Sequence, residues 1–175
     1  MTLDELNAFD RTRFVDLLGG VFEHSPWVAD AAWQRRPFAS VAALHAAMLD
    51  AVNASGSEKQ LALIRAHPEL AGKAAMRGEL TADSAREQSG AGLRHCSPEE
   101  FAQLQELNRA YAAKFGFPFV IAVAGLDRAG IVAAFARRLA NDRDAERIEA
   151  LAQIGRIARI RLDALLARTR DKDQA

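Results

Sequence analysis

The 175-residue sequence contains a single cysteine, Cys96, so no internal disulfide can form. That suits a reducing compartment or a fold that needs no covalent staple. It has no excess of charge: 23 basic and 23 acidic residues give a formal net charge of zero. A nucleic-acid binder or a polybasic membrane-surface protein would carry a basic surplus, so neither is expected. Long apolar runs are missing as well. The longest, Phe117 to Leu126, is far too short to span a bilayer. The opening MTLDELNAFD is acidic and amphipathic, unlike a secretory leader, and the closing DKDQA is no peroxisomal address. A cytoplasmic location is therefore expected. The metal-ligand patterns CxxC, HxxxH and HExxH do not occur, and the adjacent His95 and Cys96 lack ligand spacing. No metal is expected, and no motif for an organic cofactor stands out.

What is present is ordinary globular material. Half the residues are hydrophobic and 26% are charged, in a length suited to one domain. Helix punctuation recurs throughout. Thr2 and Glu5 have capping-box spacing, and Leu6, Phe9, Phe14, Leu17 and Leu18 share a helical face that Gly19-Gly20 closes. Ser25-Pro26 opens a short helix through Trp27 and Trp33. Ser40 precedes an Ala-rich helix that ends near Asn53. Ser57 with Gln60 starts another, which Pro68 halts around His67. Ser97-Pro98-Glu99-Glu100 is the strongest cap, opening a helix to about Phe115 with Gly116 as its stop. Further helices cover Ala129 to Asn141 and about Asp144 to Arg168. The last has Ile148, Leu151, Ile154, Ile157 or Ala158, Leu162 and Leu165 spaced by threes and fours.

One stretch breaks the pattern. Phe117 to Val123 (FPFVIAV) looks locally like a buried strand, but no second strand exists to pair with it and Pro118 removes a donor. It reads as an irregular buried apolar segment whose backbone groups need partners, and a bound polar ligand is one way to supply them. The expected architecture is all-α: a single-domain helical bundle over residues 1–175, with one irregular segment and a tail fraying from about residue 169.

Three places could carry chemistry. His67 lies where a helix must end, ahead of Pro68. It either caps the last carbonyls of that helix or serves as a proton shuttle titrating near neutrality. His24, His45 and His95 read as structural or solvated. Ser84, Ala85, Arg86, Glu87 and Gln88 form about a turn of helix after the Thr81 cap, with Ser84 and Gln88 on one face. That turn is either solvated surface or a binding edge. Arg161 borders the apolar stripe of the last helix, as a snorkelling side chain, an ion-pair partner or an anion clamp.

Taken together, His67-Pro68-Glu69-Leu70, Leu80 through Gln88 with Ala91-Gly92-Leu93, Asn108-Arg109-Ala110-Tyr111 with Lys114 through Ile121, and Arg161-Leu162 resemble the signature of the OHCU decarboxylases in order and spacing. Their substrate is 2-oxo-4-hydroxy-4-carboxy-5-ureidoimidazoline (OHCU). The resemblance runs from Leu6-Asn7 to about Leu166. It implies an all-helical fold and decarboxylation of OHCU to (S)-allantoin and CO₂ in urate catabolism, with no metal or cofactor. It also implies a possible homodimer, and functional coupling to urate oxidase and hydroxyisourate hydrolase. By the same resemblance His67 is the proton-transfer residue, Glu87 the catalytic carboxylate and Arg161 the catalytic arginine. Substrate contacts fall on Pro68, on Ser84, Ala85, Arg86, Glu87 and Gln88, and on the backbone of Phe117, Pro118, Phe119, Val120 and Ile121. One departure stands out: Ala124 occupies a position where many relatives carry a basic residue. Two other classes of answer compete, a cofactor-free hydrolase of a related ureide and a non-catalytic module that binds a purine derivative.

Overall fold

The computed structural model describes residues 1–72, 75, 77–93 and 96–172, and the side chains up to residue 167. His95 and the end of the tail, residues 173–175, lie outside the described residues. Among the described residues the regular structure is helical, with no strand. The chain gathers into two compact units, Met1–Ala66 with Gly155–Ala175, and His67–Ile154.

The first unit begins with α1 (Leu3–Ala8), whose Thr2 and Glu5 form the expected reciprocal capping box. The single amphipathic segment read through Leu18 is in fact two helices. Phe9 is extended, and Asp10 accepts a bond from the Arg13 amide to start α2 (Arg11–Leu18). A side-chain acceptor that satisfies an exposed amide makes a new start cheaper than continuing the first helix. Helix α3 (Pro26–Trp33) has its proline at the first position, and α4 (Val41–Ala54) is capped by Ser40 on the Ala43 amide. At α5 (Ser57–Arg65) the cap differs from the expectation. Gly56, at φ +81°, takes the cap position and Ser57 is already helical. Buried Gln60 instead donates to the Val52 carbonyl and binds α4 to α5.

In the second unit Thr81 caps α6 (Ala82–Gly90), and Ser97 and Glu100 form the capping box of α7 (Pro98–Phe115). Gly116 ends α7 in the left-handed conformation at φ +78°. Helix α8 spans Arg128–Leu139, and α9 runs from Arg143 to Lys172. Between α7 and α8 the Phe117–Val123 segment is irregular, as expected. Its core is aromatic: Phe119 stacks on Phe135 with centroids 3.7 Å apart, and Tyr111 meets Phe119 edge-on at 5.1 Å.

The buried face of α9 corrects one expectation. Ile148 is 62% exposed, while Glu146, Ala150, Gln153, Ile154, Ile157, Ala158, Arg161 and Leu162 are buried. The inward stripe therefore begins on a glutamate rather than an isoleucine. Glu146 can sit there because Arg138 and Asn141 donate to its carboxylate. Within the first unit, α9 approaches α4 closely at Gly155. A Cβ there would lie 2.9 Å from a Leu49 methyl, and the Gly155 carbonyl lies 2.8 Å from Nε2 of His45. That contact gives His45 a structural place.

Candidate active site

The chain leaves α5 through Ala66, and His67 follows immediately, 6% exposed. Residues 69–72 form a tight turn in which the Gly72 amide donates to the Glu69 carbonyl at 3.3 Å. Gly72 suits the turn because a Cβ there would sit 2.7 Å from Cβ of Glu69. Ala71 takes a left-handed conformation at φ +50° that L-residues seldom adopt. Side-chain amides hold it there. Oε1 of Gln88 accepts from the Ala71 amide at 3.0 Å, and Nε2 of Gln105 donates to its carbonyl at 2.7 Å. Nε2 of Gln88 reaches the Glu69 carbonyl at 3.4 Å, and Nδ2 of Asn108 donates to the Leu70 carbonyl at 2.9 Å.

Helix α6 thus presents its polar turn as its spacing suggests. Ser84 and Gln88 are buried on one face, Ala85 and Glu87 are half-buried, and Arg86 points outward to pair with Asp83. The structure brings Gln88 to the turn that follows His67. Among the described residues Oε1 of Gln88 accepts one bond and Nε2 donates one, of the two that each atom can make. A cleft of roughly 540 Å³ in the same unit has Ala71, Ala85, Gln88, Leu93, Cys96 and Phe101 among its lining residues. It reaches Ala85 and Gln88; its described lining includes neither His67, Ser84, Glu87 nor residues 117–121. Burial pushes the Cys96 thiol up from its ordinary value.

The 117–123 segment finds part of its backbone pairing within the protein. Nη1 of Arg138 donates to the Val120 carbonyl at 2.6 Å, and the Ala122 amide donates to Oε1 of Gln153 at 3.0 Å. Arg138 is 1% exposed and is balanced by Glu146, whose Oε1 accepts from Nε at 2.7 Å and from the Tyr111 hydroxyl. Burial and that carboxylate push the Tyr111 phenol well above its ordinary range.

Arg161 belongs to the first unit. It is 5% exposed, and its Nη1 lies 2.6 Å from Oε2 of Glu23, itself 2% exposed, and 3.4 Å from the Gly20 carbonyl. His67, Pro68, residues 84–88 and residues 117–121 all belong to the second unit. Among the described residues no group of three His, Cys, Asp or Glu side chains could hold a metal ion.

Several polar residues that organise these segments have no part in the sequence expectations: Glu23, Gln105, Arg138, Glu146 and Gln153, while Asn108 enters there only within the resemblance motif and without a role. A usable signal existed for Asn108, which occupies one stripe with Leu104, Tyr111 and Phe115. A polar residue at a core position implies a buried partner. Glu23, directly after Val21-Phe22, offered a weaker signal of the same kind.

The comparisons with known proteins agree with one another. A relative from Halalkalicoccus jeotgali, named 2-oxo-4-hydroxy-4-carboxy-5-ureidoimidazoline decarboxylase, is 41% identical over 94% of this chain and 92% of its own length. The uric acid degradation bifunctional protein PucL of Bacillus subtilis is 42% identical over 92% of this chain, which covers 32% of that longer protein. A crystal structure of (S)-allantoin synthase superposes with a TM-score of 0.76 at 28% identity, over 94% of this chain and 54% of the other. The family model described as OHCU decarboxylase matches residues 7–163, so that with these relatives the chain belongs to the OHCU decarboxylase family.

Proposed function

We propose that the chain decarboxylates OHCU to (S)-allantoin and CO₂ in urate breakdown, as a carboxy-lyase that uses no cofactor. The observation that carries this reading is the family match over residues 7–163, which includes His67, Glu87 and Arg161. A module that only binds would have no need of a proton-transfer residue, and nothing in the site favours a hydrolase.

The substrate explains how the reaction can proceed without a cofactor. Its carboxylate and hydroxyl share one tetrahedral carbon, beside a ring C=N that bears the ureido group. Breaking the bond to the carboxylate releases CO₂ and sends the electron pair into the C=N, whose nitrogen takes a proton. An enol results. Loss of the hydroxyl proton and protonation of the ureido-bearing carbon then give allantoin, and the face protonated sets the configuration. The electron sink is the substrate's own, so the protein supplies position and protons.

In this proposal His67 takes the hydroxyl proton, Glu87 orients the exchange, and Arg161 stabilises negative charge developing on the substrate. Pro68, Ser84 through Gln88, and the backbone of residues 117–121 hold the ring and urea groups. The neighbouring steps, urate oxidase and hydroxyisourate hydrolase, supply the substrate. We further propose a cytoplasmic setting and a homodimer. Among the described residues no helix is long and apolar enough to cross a membrane.

The test generates OHCU in place with those two enzymes and follows the product by circular dichroism. This chain should give optically pure (S)-allantoin. His67→Asn should leave only the racemic product of spontaneous decay, with the far-ultraviolet helical signal unchanged. Normal stereochemical turnover by that variant would remove His67 from the reaction.

A further inference from the structure

We infer that Gln105 and Asn108 of α7 are positioning residues for His67, acting through the turn at residues 69–71. The inference rests on the proposed role of His67. Its basis is the concentration of side-chain amides on one strained turn. The Ala71 amide, the Ala71 carbonyl and the Leu70 carbonyl are each bonded by a carboxamide, from Gln88, Gln105 and Asn108 at 3.0, 2.7 and 2.9 Å. No helix ladder contributes these bonds. Asn108 is 3% and Gln88 6% exposed, so two of the three amides are removed from water, where an unmet partner is most costly.

Ala71 at φ +50° shows what the amides are for. An alanine holds a left-handed conformation only where its surroundings over-determine it, and such positions gather at functional sites. Here the over-determination comes from α6 and α7. From the clamped residues the chain reaches His67 through Glu69 and Pro68, and the proline ring fixes one of the intervening torsions. A displacement of the turn is therefore passed on to the imidazole. Proton transfer needs the group within about 0.5 Å of its working position, a tolerance that a loosened turn would exceed.

Gln105 is the residue to change first because it is only half-buried. Gln105→Leu keeps the volume and loses the donor. Gln105→Glu keeps the shape and puts a carboxylate oxygen against the Ala71 carbonyl. Both should lower kcat for stereospecific allantoin formation at least fivefold, with KM changed less than twofold and helical content unchanged. The second readout is independent of turnover. In protein labelled with ¹⁵N-histidine, the His67 ring signals, assigned with His67→Asn, should shift or broaden in both variants while those of His24 and His45 stay fixed.

Unchanged kcat and unchanged His67 signals in both variants would overturn the clamp, even with His67→Asn inactive. If His67→Asn turns over normally while the ring signals move, the clamp stands and the proposed role of His67 falls. A stability loss without movement of the ring signals assigns Gln105 to the fold alone and refutes the inference.

Discussion

Two buried arginines show how one residue type serves different ends. Arg138 donates to Glu146, to the Val120 carbonyl and to the Tyr111 hydroxyl, so its fork is spent on shaping the 117–123 segment. Arg161 is tied through Nη1 to Glu23 and the Gly20 carbonyl. A guanidinium presents five donors in a rigid planar fork, whereas an ammonium gathers its three donors on one atom and does not reproduce that spacing. Arg161→Lys should therefore lower kcat/KM on the order of 100-fold, comparable to losing one fixed donor at a developing charge. The coupled dichroism assay measures this, and near-normal kinetics would make Arg161 purely structural. Glu23→Gln tests the same pair from the other side. Removing one partner of a buried ion pair leaves the other uncompensated, so stability should fall by on the order of 3 kcal/mol in urea denaturation.

At the scale of the helix, legibility followed local chemistry. The capping boxes at Thr2 and Ser97, the Thr81 cap and the Gly116 stop are set by neighbours a few residues apart, and each sits where its spacing suggested. Asp10 was missed because one aspartate inside a continuing apolar periodicity looks like another outward polar residue until its side chain is seen to accept the Arg13 amide. Ile148 was misplaced for a different reason. In a long helix the apolar count does not set the buried face once a partner such as Arg138 makes Glu146 acceptable inside. The same limit applied to the site. His67, residues 84–88 and Arg161 announce themselves by type and family motif, and Asn108 by motif without a role, whereas Gln105 and Glu23 act through contacts 34 and 138 residues away. The cap at α7 offers a direct check. Ser97→Ala removes the acceptor of the Glu100 amide, and should cost about 1 kcal/mol, lowering the thermal midpoint by about 3 °C. No change in midpoint would mean that Pro98 and Glu100 suffice to start the helix.

The whole molecule carries balanced charge, with a sequence isoelectric point near 6.9. Charge is what keeps protein surfaces apart in solution, and a net charge near zero favours association. The 23 acidic and 23 basic side chains cancel, so the sequence lies near its isoelectric point at neutral pH. Lowering the pH adds protons and gives net positive charge. Raising it removes protons and gives net negative charge. Solubility should therefore pass through a minimum close to pH 7 and rise on both sides, with added salt flattening the profile by screening. Light scattering of the concentrated protein between pH 5 and 9 measures this. A monotonic profile would mean that exposed apolar groups such as Ile148, at 62% exposure, govern association in place of net charge. In that case Ile148→Lys should restore solubility at neutral pH without altering turnover, because Ile148 lies outside every segment assigned to the reaction.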